Sequence, residues 1–398
     1  MICGFSAFAS AARFARQRRG IVLAGLLAMT TGCTTPELFG ARPSAPPQQG
    51  TAIGTGQIKV ALILPLSAGG NAGIAAMSMK NAAEMALAEF NSPNIQLLVK
   101  DDGGNTGGAQ QAAQQALAEG AEIIIGPLFA QAVQAVGQVA RGRGVPVIAF
   151  STDVSVAARG VYLLSFLPES DVSRIVDFAV TNGKRSYAAL LPDNAYGSVV
   201  EAAFKQITAQ RGARIVALER YQSGSSLSAP ASIVAQAAAS ADAIFIPDGS
   251  DAVPNVVAAL AQAGVKPRSI QLLGTGLWDD PRIFSDTNLH GGLFAGPDAT
   301  GFRNFSARYR ARFGQDPVRT ATLSYDAVAL VAALVKTQGE ARFSEQTLTN
   351  PSGFAGIDGL FRFRTDGTNE RGLAVLRVGP TGAQTVKPPP RAFAGSGT

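Results

Sequence analysis

The sequence predicts an α/β protein of two lobes, each a parallel β-sheet covered by helices. Three observations carry that reading. Short apolar runs alternate with longer amphipathic stretches from residue 58 to about 285. The runs lack in–out polarity, so both faces of each sheet must be covered. The strand–helix units are also too many for one compact domain, which points to two sheets.

Residues 58–64 (IKVALIL) read as a buried strand. Residues 71–90 read as a helix, with Ala72, Ala75, Ala76, Met79, Ala83 and Leu87 near helical spacing. Strands follow at 95–100, 122–125 and 145–150, with helices at 109–119 and 130–141 between them. The pattern resumes with helices at 170–182, 198–210, 231–239 and 252–263, and strands at 187–191, 214–221, 243–247 and 270–273. Gly120, Gly144, Gly183, Gly212 and Gly264 each follow a predicted helix, where a C-terminal cap is expected. Beyond Gly291 the order changes to helices at 302–313 and 323–337. A strand pair, 359–364 and 373–378, follows and is joined by a turn at 365–369. One lobe is expected to hold 58–165 and about 290–345, the other 166–289 and about 346–387. The Pro/Gly-rich tail at 388–398 reads as loose.

Residues 1–32 have the parts of an export signal. Arg13, Arg16, Arg18 and Arg19 form a basic start without Asp or Glu, and the apolar stretch 21–29 (IVLAGLLAM) follows. As a helix that stretch spans about 13 Å, short of a hydrocarbon core of roughly 30 Å, so it reads as a signal and not a membrane span. Small residues then precede Cys33, as in a bacterial lipobox, where the cysteine is lipidated and becomes the new N-terminus. Ordinary cleavage, leaving Cys33 a stray thiol, is the alternative. The other cysteine, Cys3, goes with the leader, so the mature chain has no internal disulfide. Residues 33–57 then form the lipid anchor and a Pro/Gln-rich tether, and the protein is expected in the periplasm, anchored to a bacterial membrane.

Composition excludes several functions. The chain of 398 residues is 46% hydrophobic and 16% charged, enough for sizeable cores. Its net charge of +6 belongs mostly to the leader, since 30 Lys+Arg face 28 Asp+Glu beyond residue 32. No concentrated basic field remains, which argues against nucleic acid as a partner. The single histidine, His290, has no neighbouring ligand candidates, and no G-x-S-x-G elbow is present. The Gly-rich run 69–73 lacks the phosphate-loop Lys and the dinucleotide spacing. Neither catalysis, a cofactor nor a metal is expected.

In open parallel sheets, ligands bind at the carboxyl ends of the strands. That rule selects the loops holding Ser67, Leu128, Phe129, Ser151 and Thr152 in the first lobe. In the second it selects those holding Tyr196, Asp248 and Trp278. Each has a plainer reading beside ligand contact. Ser151 and Thr152 suit the cap of a following helix, and Asp193 and Asp248 suit turns. Tyr196 could pack on its own lobe, and Trp278 is either a binding platform or core.

Five segments carry a family resemblance: IKVALILPLSAGGNAG, IIIGPLFAQAV, GVPVIAFST, YAALLPDNAYGSVVEAAFKQ and FAGIDGLFRFRTDGTNERGLAVLRV. In this order, over 58–386, the chain resembles the type I periplasmic binding proteins of the leucine/isoleucine/valine-binding group. The resemblance implies a clamshell of two Rossmann-like lobes joined by three crossings, closing on a small ligand such as an amino acid. It also implies delivery to the permease of an ABC transporter. Ser151 and Thr152 match the loop that holds a ligand carboxylate, and Tyr196 a tyrosine that meets the ammonium. Two places depart from the pattern: Pro127-Leu128-Phe129 stands where serines are usual, and Leu277-Trp278 where an acid is usual. The anchor, the tether and the opening ILPLSAGGNAG are also similar to penicillin-binding protein activators, lipoproteins of the same fold that stimulate a peptidoglycan synthase.

Overall fold

The computed structural model describes residues 51–90, 93–222 and 224–393. The leader, Cys33 and the tether up to residue 50 lie outside the described residues, while 51–57, expected in the tether, are joined to the first sheet through Ala52–Ile53.

The first sheet is formed by β1 (Ala52–Ile53), β2 (Ile58–Leu64), β3 (Ile95–Asp101), β4 (Ile123–Ile125), β5 (Val147–Ala149) and β6 (Val161–Leu163). Their order is β1-β3-β2-β4-β5-β6, parallel except for β1. Because side chains alternate along a strand, β2 divides its apolar residues between two cores. Val60, Leu62 and Leu64 pack with α1 (Gly70–Glu89) and α10 (Ala321–Thr337). Ala61 and Ile63 pack with α2 (Thr106–Ala118) and α3 (Ala130–Arg141). That two-sided burial is what the unbroken run IKVALIL requires.

The second lobe repeats the plan with β7 (Ser186–Pro192), β8 (Arg214–Tyr221), β9 (Ala243–Phe245), β10 (Gln271–Gly274) and β11 (Leu293–Gly296), all parallel. Ala188 and Leu190 of β7 face α6 (Ser228–Ala237) and α7 (Val253–Gln262). Tyr187, Ala189 and Leu191 face α4 (Pro168–Thr181) and α5 (Ala195–Gln210). The short helix α8 (Pro281–Ser285) follows β10.

Beyond β11 the expected boundaries move. The strand β11 pairs with β10, so the second lobe runs to Gly296 and not to 289. Helix α9 (Ala299–Phe313) then packs on α1 of the first lobe through Phe305 and Tyr309. Residues 346–371, expected in the second lobe, belong to the first. Leu348 of α11 (Glu345–Leu348) and Phe361 and Phe363 of β13 (Gly359–Phe363) enter its core.

The expected strand pair also separates. The partners of β13 are β12 (Phe354–Gly356) and β14 (Asn369–Arg371), while β15 (Ala374–Gly379) lies antiparallel to β11 in the second lobe. With β16 (Gly382–Lys387) beside β15, the second sheet is mixed and not wholly parallel. The crossings therefore lie at 164–167, 297–298 and 372–373. Nor is the described part of the tail loose, since Phe393 is buried.

Candidate functional site

In both lobes the expected site residues lie on loops at the carboxyl ends of the parallel strands. In the first lobe, Gly126 holds φ +94, a conformation open to glycine, and a Cβ there would stand 2.0 Å from the Ile63 carbonyl oxygen. The loop it starts sets Leu128 half-buried against the core and Phe129 39% exposed at the head of α3. Phe129 stands over Gly104, where a Cβ would lie 3.6 Å from its ring. Ser67 is exposed, and its N–H donates to Asp101 Oδ1 at 3.2 Å. Ser151 is buried, and its Oγ accepts from Asp153 N at 3.1 Å. Asp153, in turn, caps the short turn at Val154–Val156. Ser151 thus orders its own loop, and Thr152 beside it is exposed.

In the second lobe, the Asn194 side chain accepts from Gly197 N and caps α5, which fixes Tyr196 in the first turn. Tyr196 and Thr275 share a hydroxyl–hydroxyl hydrogen bond of 2.9 Å, and burial raises the Tyr196 pKa. Asp248 accepts from the Tyr221 hydroxyl and from Gly249 N, the turn role the sequence offered as its alternative. Trp278 is corrected as a platform. It is fully buried, Nε1 donates to Ile246 O at 3.0 Å, and its ring fills space left by Gly274 and Gly292. Its neighbour Leu277 is 46% exposed instead.

Several charged residues that sequence reasoning missed gather beside the crossings between the lobes. Asp171, in the first turn of α4, accepts from Gly276 N at 2.9 Å. Burial lifts its carboxyl to about 7, opposed by that N–H and by Arg371. Asp326 accepts from Ile357 N, and burial again pushes its carboxyl to about 7. Arg319 forks onto buried Asp358, with bonds of 2.9 and 2.6 Å. Arg371 is buried, and Nε donates to Ser165 O at 2.9 Å, while Nη1 and Nη2 have no partner among the described residues.

Rings and guanidinium groups alternate through this region. Phe361, Arg371, Phe166, Arg319 and Phe302 lie in sequence, with guanidinium-to-ring distances of 5.7, 4.6, 4.8 and 4.5 Å. Phe166 lies on the first crossing, Phe302 follows the second and Arg371 precedes the third. Asp279, on the second lobe, has its pKa raised by burial and feels Arg319 and Asp358 of the first, so charges from both lobes converge here. Of these residues only Asp326 had a legible signal, as the one charged residue in the mostly apolar 321–335.

Among the described residues no cluster of three or more His, Cys, Asp or Glu could hold a metal ion. His290 Nε2 is hydrogen-bonded to Phe284 O at 2.9 Å and lies on the second lobe's α8 side. None of the described helices is long and apolar enough to cross a membrane.

Two α/β lobes opening on a shared cleft define a ligand-binding clamshell. Residues 57–383 match the family described as periplasmic binding protein, and the chain belongs to that family. Solved structures agree on the fold. One described as a branched-chain amino acid ABC transporter from Rhodospirillum rubrum has a TM-score of 0.74 at 17% identity, covering 83% of this chain and 99% of that one. A solute binding protein from Rhodopseudomonas palustris, in complex with 3,4-dihydroxybenzoic acid, has a TM-score of 0.60 at 21% identity, covering 84% and 97%. An ABC transporter substrate-binding protein from Desulfitobacterium hafniense, in complex with Leu, has a TM-score of 0.59 at 17% identity, covering 83% and 99%. No curated protein matches the sequence.

Proposed function

We propose that this protein is a non-catalytic solute receptor of the periplasm. It closes on an amino acid or similar small polar molecule and delivers it to an ABC-type permease. The observation that carries this reading is the match of residues 57–383 to the periplasmic binding protein family on a fold of two α/β lobes joined by three crossings. Ligand binding shifts an open–closed equilibrium only as far as the ligand prefers the closed form. Fold neighbours hold both Leu and an aromatic acid, so the ligand panel must include both classes. Lipidation at Cys33 would keep the receptor at the membrane surface.

A second reading, a penicillin-binding protein activator acting by protein contact, is favoured by the engaged hydroxyls of Ser151 and Tyr196 and by the exposed Phe129 and Leu277. A thermal-shift screen against amino acids, aromatic acids, small peptides and cell-wall fragments separates the two. A ligand at 100 times its Kd adds about 2.7 kcal/mol. A saturable shift lost in Tyr196→Phe or Ser151→Ala supports the receptor. Silence across the panel from folded protein removes it and leaves the activator.

A further inference from the structure

The last described residues, 388–393, are held by both lobes. Their base is fixed in the second lobe, where Lys387 ends β16 opposite Val375 of β15. There Arg174 Nη2, on α4, donates to Pro388 O at 3.1 Å. Their middle lies over the third crossing, where a Cβ on Gly372 would stand 3.2 Å from Pro390. Their tip is fixed in the first lobe. Phe393 is 5% exposed and lies 4.6 Å from the Arg362 guanidinium, which is itself tied to Glu370 and to Pro351 O. Three consecutive prolines, 388–390, join base to tip. Such a run is a semi-rigid spacer with little freedom to lose on docking.

We propose that residues 388–393 are a hinge strap, a fourth tie between the lobes that limits how far the cleft opens. The crossings at 164–167, 297–298 and 372–373 bend by backbone rotation at a few positions. A stiff segment anchored on both sides does not follow such a rotation. Phe393 leaves its seat when the lobes part widely and keeps it through small movements. The strap acts through the hinge and touches no ligand, so it stands or falls apart from the solute-receptor reading.

The test uses the whole protein without ligand. Hydroxyl-radical labelling is expected to modify the Phe393 ring several-fold less than the exposed Phe129 ring, and equal labelling would overturn the strap. Hydrogen exchange then compares Phe393→Ser with the unchanged protein. Exchange is expected to quicken several-fold in peptides covering 369–375, where Gly372 N donates to Leu360 O, and in the first turns of α4. Exchange in β2 and β7 stays unchanged. Arg174→Ala removes the tie at the base, along with the attraction to Asp177 on its own helix, and is expected to give the same pattern at the third crossing more weakly, so it decides the matter should Phe393→Ser not fold. Unaltered exchange at the third crossing in the folded variants would overturn the proposal.

Discussion

The two walls of the cleft are built from the same device, a loop at the carboxyl end of a parallel strand, yet they present different surfaces. The first-lobe wall offers Leu128 and Phe129, together with an exposed Thr152. Apart from the exposed Leu277, the second-lobe wall is polar, and its groups are already paired: Tyr196 with Thr275, Tyr221 with Asp248, Ser250 with Asp280, and Asp171 with Gly276 N. Apolar surface gains by being covered, at about 25 cal/mol per Å². A paired hydroxyl gains little, because one hydrogen bond is exchanged for another at a net of about 1 kcal/mol or less. Affinity is therefore expected from the first wall and orientation from the second.

The strongest way to break this contrast is Trp278→Ala, because the second wall rests on that buried ring. Removing a buried Trp costs about 3–5 kcal/mol. Urea denaturation is expected to show a loss of that size, and a loss below about 1 kcal/mol would restore Trp278 as a surface platform.

A smaller effect is expected from pH. Burial holds the carboxyls of Asp171 and Asp326 at about 7, above the ordinary value near 4. Groups raised in this way bind protons more tightly in the folded protein. Their contribution is full below about pH 4 and is lost as pH rises through about 7. Asp171→Asn removes one of them, so its melting temperature should match the unchanged protein near pH 4 and exceed it by a few °C at pH 8. A gap of the opposite sign would show that Asp171 is ion-paired and not isolated by burial.

The smallest expected effect on stability sharpens the contrast from the other side. Phe129 is part-exposed and Ser suits its place at the head of α3, so the lost ring contact and the gained cap offset each other, and Phe129→Ser should move stability by no more than about 1 kcal/mol in urea denaturation. A ligand found in the screen should nonetheless bind several-fold more weakly to Phe129→Ser in titration calorimetry. Unchanged affinity would mean that the apolar wall is not where binding energy arises.

The sequence alone determined the alternating architecture, two lobes and the loops at the strand ends, because these follow from local periodicity and from two-sided burial. Runs such as IKVALIL and IIIG, short and rich in β-branched residues, favour a strand covered on both faces. The roles of Tyr196 and Trp278 were legible only as alternatives. Whether a ring faces a cleft or a core depends on what lies opposite, here Thr275 for one and Gly274 and Gly292 for the other.

Tertiary structure alone decided where the chain changes lobes after Gly291, since β13 and β15 look alike as strands and differ only in which sheet accepts them. It also decided the base of the cleft. Arg319, Arg371, Asp171 and Asp358 stand far apart in sequence and carry no periodicity, and their meaning comes from long-range contact across three crossings. The described part of the tail, 388–393, shows the same limit: its composition reads as loose, but a buried Phe393 and the bond to Pro388 tie that part down. Composition reports what a segment can bury by itself, and only the fold supplies the surface on which it does so.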